Sequence, residues 1–327
     1  MNETGDSGIV NSQPAGSYGG QYLLPKSDRA CANVLGVAVD ALNLEGALAR
    51  VADALESNRK GYICAVGVHG ILEARRNASM AQALADAAIV VPDGTPTVWV
   101  GRVQGCTSID HVTGPALMRE IFRRERFSRY RHFFYGGKEG VAGELARSML
   151  REAPDARIAG ICTPPFRELN RAEEDDLMVG IKACKPDIIW VGISTPKQEL
   201  FMRRMLPRLD TCLMFGVGAA FDFHTGRIRD CAPWIKAAGF QWLHRLLQDP
   251  KRLWRRNLRN STFLWHIAVQ LTGFRNYSLP ARSDSSLGGY VLAPEHGGDS
   301  WQPEELQPIS KWVLEPAHKA AQTCSDD

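Results

Sequence analysis

The stretch "AAIVVPDGTPTVWVGRVQG", residues 87–105, decides how this chain folds. Its first five residues are a short apolar run, β-branched at its end, of the kind that suits a strand covered on both faces. Pro92 cannot donate to a sheet ladder and Gly94 relaxes the backbone, so Asp93 is expected on a tight turn just past the strand's carboxyl end. The apolar segment "TPTVWVGRV" then reads as a helix. Asp-Gly is ordinary turn chemistry, because Asp caps its own backbone and Gly takes positive φ. A carboxylate held there gains a second meaning in an open α/β sheet, whose ligands gather outside the carboxyl ends of the strands.

Outward from this stretch the chain alternates. "NVLGVAVD" precedes the helical period of "NLEGALARVADALESNRK", and "YICAVG" precedes "GILEARRNASMAQALADA". Beyond the loop "CTSIDHVTG" come the helix "PALMREIFRRERF", "HFFYGG" with "KEGVAGELARSMLREA", and "ARIAGIC" with "LNRAEEDDLMVGIKACK". Then follow "DIIWVGI" with "TPKQELFMRRMLPRL" and a last strand, "CLMFGVG". Strands alternating with helices imply βαβ units and right-handed crossovers. The expected fold is therefore α/β, a Rossmann-like, mostly parallel sheet with flanking helices.

Composition bounds the rest. At 327 residues and 44% hydrophobic content the chain can bury a sizeable core. A formal charge of +3 is too small to argue for nucleic acid, so any basic signal must be local. The eight cysteines show no CxxC pair and lie in part inside apolar runs, which reads as reduced thiols in a cytosolic protein. Neither His nor Cys clusters at metal-ligand spacing, so no metal and no cofactor are expected. No apolar run approaches the ~20 residues that span a bilayer. Residues 1–31 read as a disordered arm and 32–235 as the α/β domain. Residues 236–276 read as a basic amphipathic helical appendage, and 277–327, rich in Ser, Gly, Pro and Glu, as a disordered tail.

Four stretches carry chemistry. Gly136 and Gly137 lie between a strand and a helix start, where N–H groups and the helix dipole can meet a phosphate, although a tight turn explains the pair equally well. In "VGISTPKQELFM", Ser194 or Thr195 can cap a helix with Pro196 at its first position and Glu199 near N3. Capping leaves Lys197 and Gln198 unexplained; a cation and an amide at a helix mouth on Asp93's edge of the sheet suit a nucleotide diphosphate. In "FGVGAAFDFHTGRI", Asp222 falls on another turn past a strand, and no DxD triplet is present. Finally "KAAGFQWLHRLLQDPKRLWRRNLRN", residues 236–260, holds seven Lys/Arg against one acid. Asp249-Pro250 starts a helix with Arg252, Arg255, Arg256 and Arg259 on one side and Leu253, Trp254, Leu258 and Trp265 on another. That division suits an anionic membrane interface; a solvated helix packing its apolar side on the core is the alternative, and nucleic acid suits so apolar a helix less well.

"VPDGTPTVW", "VTGPALM", "YGGKEGVA", "PDIIWVGISTPKQE", "GVGAAFDFHTGRI" and "APWIKAAGFQWLHRLLQDPKRLWRR", in this order, resemble the WecG/TagA/CpsF glycosyltransferases, also called glycosyltransferase family twenty-six. The likeness covers about residues 33–265. It implies an inverting, metal-independent hexosyltransferase moving a sugar from a UDP-sugar to a polyprenyl-diphosphate-linked acceptor, at the cytoplasmic face of the cell membrane, in exopolysaccharide or cell-surface polysaccharide assembly. Asp93 would be the general base. Gly136, Gly137, Thr195, Lys197, Gln198, Asp222 and His111 would hold the donor, and Arg245, Arg252, Arg255 and Arg256 would close over the diphosphate. A homo-oligomer stays open. Two departures bear on sugar specificity: Val66 and Val68, beside His69, stand where family members often carry a Thr-x-Asn pair, and His111 stands where they often carry Arg. The rival readings are a dinucleotide-dependent oxidoreductase, which lacks GxGxxG here, and a non-catalytic membrane scaffold, which gives Asp93 no role.

Overall fold

A computed structural model of the protein describes residues 30–283 apart from 212, 230, 233–234, 236–240, 252–253, 255–257 and 259. Six strands form one parallel sheet: β3 (Gly61–Val66), β4 (Ile89–Pro92), β5 (Arg131–Gly136), β6 (Arg157–Cys162), β7 (Ile188–Gly192) and β8 (Leu213–Gly216). Their spatial order is β4-β3-β8-β7-β5-β6. Helices α1 (Leu44–Glu56), α2 (Val68–Ala74), α3 (Ala78–Asp86), α4 (Thr95–Val103), α5 (Gly114–Arg123), α6 (Val141–Glu152), α7 (Arg171–Cys184), α8 (Lys197–Met205) and α9 (Ala220–His224) flank it. The expected α/β architecture is present.

The period of two in each strand divides the core into two layers. On β5, Phe133 and Tyr135 face Leu177, Met178 and Ile181 of α7 and Phe201 and Met202 of α8. Phe134, between them, faces Leu117 and Ile121 of α5 and Leu145 and Met149 of α6. His132 is also buried, and its Nδ1 accepts from Trp190 Nε1 at 3.1 Å. Removal from water depresses this imidazole from 6.5 to about 3, so it stays neutral and serves the Trp190 indole as acceptor.

"NVLGVAVD" departs from the expected alternation. It is not a strand of the parallel sheet but an antiparallel hairpin, β1 (Cys31–Val34) with β2 (Val37–Asp40). Leu35 and Gly36 turn with φ of 53° and 88°, a left-handed pair that matches the twist of a tight hairpin. The hairpin closes the edge of β4, where fully buried Asp40 accepts from Val90 N at 2.7 Å through Oδ2. An otherwise open ladder edge is thereby satisfied.

Past the sheet, helices Gln241–Gln248 and Thr262–Leu271 follow, and the described residues between 250 and 260 are helical as well. The second helix is not merely appended. Its Phe263, 2% exposed, and Ile267 belong to the core layer that holds the hairpin and α2, while Gln270 accepts from Leu35 N and donates to Asn33 O. The chain then runs along the domain to Ser283, whose N–H and hydroxyl both reach the Asp86 carboxylate, itself paired with Arg203. The expected tail boundary at 277 thus falls inside a segment bound to the α/β domain, because side chains of α3 supply partners for its backbone. Residues 1–29 and 284–327 of the expected arm and tail lie outside the described residues.

Candidate active site

The carboxyl ends of β3, β4, β5, β7 and β8 open on one edge of the sheet, and the order β4-β3-β8-β7-β5 brings there the loops that the chain order separates. Asp93 follows β4 directly. Its N–H donates to Val66 O at 3.1 Å, and a Cβ on Gly67 would come within 2.3 Å of the Asp93 carbonyl oxygen. Gly67 is therefore part of the device that seats Asp93, which the sequence signalled only as a glycine at a strand exit. Gly94, at φ 129°, releases the chain into α4.

About 40% of the Asp93 side chain reaches the solvent of the cleft. Enclosure by the surrounding protein nevertheless raises its carboxyl above the ordinary carboxylate range, with His111 and then Arg245 pulling it back down. His111 Nε2 faces Asp93 Oδ1 at 4.0 Å. Arg245, from helix Gln241–Gln248, lies over the Phe223 ring with its guanidinium carbon 5.4 Å from the centroid. That helix is held to the domain by Gln248, which bonds both the N–H and the carbonyl of Arg229. Carboxyl, imidazole and arginine thus lie together although Asp93 and Arg245 are 152 positions apart in the chain.

The loop after β7 differs from the expected cap. Helix α8 begins at Lys197, with Pro196 rather than Ser194 or Thr195 in the capping place and no side-chain cap bond. Ser194 takes φ 72° and the Thr195–Pro196 peptide is cis. The Thr195 hydroxyl turns away to donate to Glu199 Oε1 at 2.9 Å. Gln198, 2% exposed, donates to the same oxygen at 3.0 Å and accepts from Gly218 N at 3.1 Å, which ties the β8 exit to α8. Burial raises the Glu199 carboxyl, and among the described residues its Oε2 has no hydrogen-bond partner. This buried acid under the cleft was readable in the sequence only as an N3 residue. Lys197 is exposed at the mouth of α8, and Asp222 is half-buried on α9.

Gly136 and Gly137 sit at the exit of β5. A Cβ on Gly136 would lie 2.5 Å from Gly192 O, and Gly137, at φ 80°, donates its N–H to that same oxygen. Close approach of two strand exits accounts for both glycines. Arg252, Arg255 and Arg256 lie outside the described residues. Among the described residues, no three His, Cys, Asp or Glu converge as a metal ion would require, and no helix is long and apolar enough to cross a membrane.

Residues 32–277 match the family described as glycosyl transferase WecG/TagA/CpsF. The chain belongs to this family. Two similar proteins carry the name N-acetylglucosaminyldiphosphoundecaprenol N-acetyl-beta-D-mannosaminyltransferase. That of Bacillus spizizenii is 26% identical over 204 residues, 62% of this chain and 77% of the relative. That of Bacillus subtilis is 23% identical over 175 residues, 54% of this chain and 66% of the relative. The matched residues of this glycosyltransferase run through Tyr277, so they include the docked helix Thr262–Leu271 as well as the sheet.

Proposed function

We propose that the protein moves a sugar from a UDP-sugar to a polyprenyl-diphosphate-linked acceptor by a single inverting displacement in the assembly of a cell-surface polysaccharide, with Asp93 as general base. The observation that carries this reading is a carboxyl group raised by enclosure yet open to the cleft, with an arginine close enough to act on it. A base with elevated affinity for protons is suited to take the acceptor's O–H proton as the oxygen attacks the anomeric carbon. Inversion needs one such carboxylate. The diphosphate leaves with the bonding electron pair, and Arg245, joined by Arg252, Arg255 and Arg256, offsets its growing negative charge. Gly136, Gly137, Thr195, Lys197, Gln198 and Asp222 surround the donor, Thr195 and Gln198 acting through the loop they brace. The relatives' shared name supports a lipid-diphosphate acceptor, and exposed Trp242, Leu247, Trp254, Leu258, Leu264 and Trp265 support peripheral association with the membrane that carries it.

Transfer assays with a panel of UDP-sugars and N-acetylglucosaminyl-diphosphoundecaprenol, reading product and anomeric configuration, test the proposal. Release of free sugar without acceptor product, or retention of configuration, would overturn it.

A further inference from the structure

The loop between α4 and α5 carries a group whose use the displacement above leaves open. His111 Nε2 is buried, and among the described residues it has no hydrogen-bond partner. It faces Asp93 Oδ1 at 4.0 Å, too far for the direct contact of 2.7–2.9 Å that a charge-assisted pair adopts. The gap is not slack. On one side of His111 the Asp110 N–H donates to Leu42 O at 3.0 Å, on the other the Val112 N–H donates to Pro92 O at 3.0 Å, and the His111 N–H itself donates to Asp110 Oδ1 at 2.8 Å. Asp93 is fixed equally firmly through Val66 O. Two residues with anchored backbones therefore present a donor and an acceptor to each other across 4.0 Å.

One oxygen atom fits that separation. An oxygen about 2.8 Å from both His111 Nε2 and Asp93 Oδ1 sees them at an angle of roughly 90°, within the broad range of directions a hydroxyl uses. We propose that His111 is a further catalytic residue, its Nε2–H donating to the acceptor's reacting hydroxyl while Asp93 accepts that hydroxyl's proton. The valences then close. The oxygen keeps its bond to the acceptor carbon, gives its proton to Asp93, receives the His111 N–H on one lone pair, and has a single lone pair left to attack the anomeric carbon. The new C–O bond forms from that pair as the bond to the diphosphate breaks. His111 thereby belongs to the acceptor side, not to the donor set that the family resemblance implies for it. Asp110 does not compete for the imidazole, since its Oδ1 bonds the His111 main-chain N–H and pairs with Arg102.

This inference rests on the transferase reading, and the experiment separates the two. His111→Leu removes the donor, whereas His111→Gln and His111→Asn retain an N–H. In full-length protein with unchanged thermal melting, His111→Leu should lower kcat/KM for N-acetylglucosaminyl-diphosphoundecaprenol by about 10- to 100-fold, the scale of lost orientation. At least one amide variant should recover most of it, while calorimetric binding of UDP stays as in wild type. Weakened UDP binding with an unchanged acceptor term, or amide variants no better than leucine, overturns the assignment while leaving the transferase reading intact. Absence of both UDP binding and transfer in the wild type overturns the two together.

Discussion

As the proposed base, Asp93 has a proton affinity set by opposed influences, and the two neighbouring side chains can each be removed. Enclosure raises the carboxyl; His111 and Arg245 lower it. The working form is the carboxylate, so activity should fall as pH drops through the folded-state pKa, and the acidic limb of the kcat/KM profile should lie above the ordinary Asp range near 3.9. Arg245→Gln withdraws a positive charge and should move that limb to higher pH; an unmoved limb would separate Arg245 from the base. Asp93→Asn should keep the fold and lose ~10²–10⁴-fold in turnover, measured under saturating donor. Because arginine rather than a metal is assigned to the leaving diphosphate, transfer should persist in excess EDTA. Loss restored by Mg²⁺ or Mn²⁺ would count against that assignment. Asp93 was legible as a candidate from turn chemistry and Arg245 through the family resemblance, but their proximity was not. Nothing local in either segment encodes a contact between the exit of β4 and a helix that follows the last strand.

At the scale of elements, two packing features make measurable claims. His132 in β5 is held neutral, with its imidazole near 3 when folded against 6.5 when free. The unfolded chain therefore binds the extra proton first, and stability should be unaffected above pH 6.5 and decline as pH falls below it. By pH 5 this one group should cost about 2 kcal/mol. Urea titrations at pH 7 and 5 on the protein and on His132→Gln, which retains an acceptor for Trp190, should differ in pH slope by that amount. The second feature is helix Thr262–Leu271. A sheet complete by Gly218 invites the expectation that everything later is dispensable for folding. Buried Phe263 and Ile267 and the Gln270 bonds to Asn33 and Leu35 say otherwise. Phe263→Ala should lose about 3 kcal/mol of stability in urea denaturation, and truncation at residue 240 should bare part of the core. A truncated chain as stable as the parent would make the helix a mere attachment.

For the molecule as a whole, the sequence divides the appendage into an arginine side and an apolar side, and among the described residues Trp254, Leu258 and Trp265 are exposed, the last 70% open. If this surface meets lipid, neutralising Arg252, Arg255, Arg256 and Arg259 together should weaken co-sedimentation with anionic vesicles, more so at low salt, and leave neutral vesicles unaffected. Equal binding by parent and variant would remove the electrostatic part of the anchor. What the sequence determined by itself was whatever a local period or a local turn can encode. Strand and helix alternation, the class of sheet, the turn that bears Asp93, and the chain's likeness to the WecG/TagA/CpsF family all rest on neighbouring residues. Tertiary structure decided what depends on partners distant in the chain. Leu35 and Gly36 made a hairpin of an apparent strand, and Asp40 was spent on the edge of β4. Gln198 was drawn inside to brace the β8 exit. His111 was set 4.0 Å from Asp93, because hydrogen bonds from Asp110 and Val112 to Leu42 and Pro92 fix a loop that carries no periodic signal of its own.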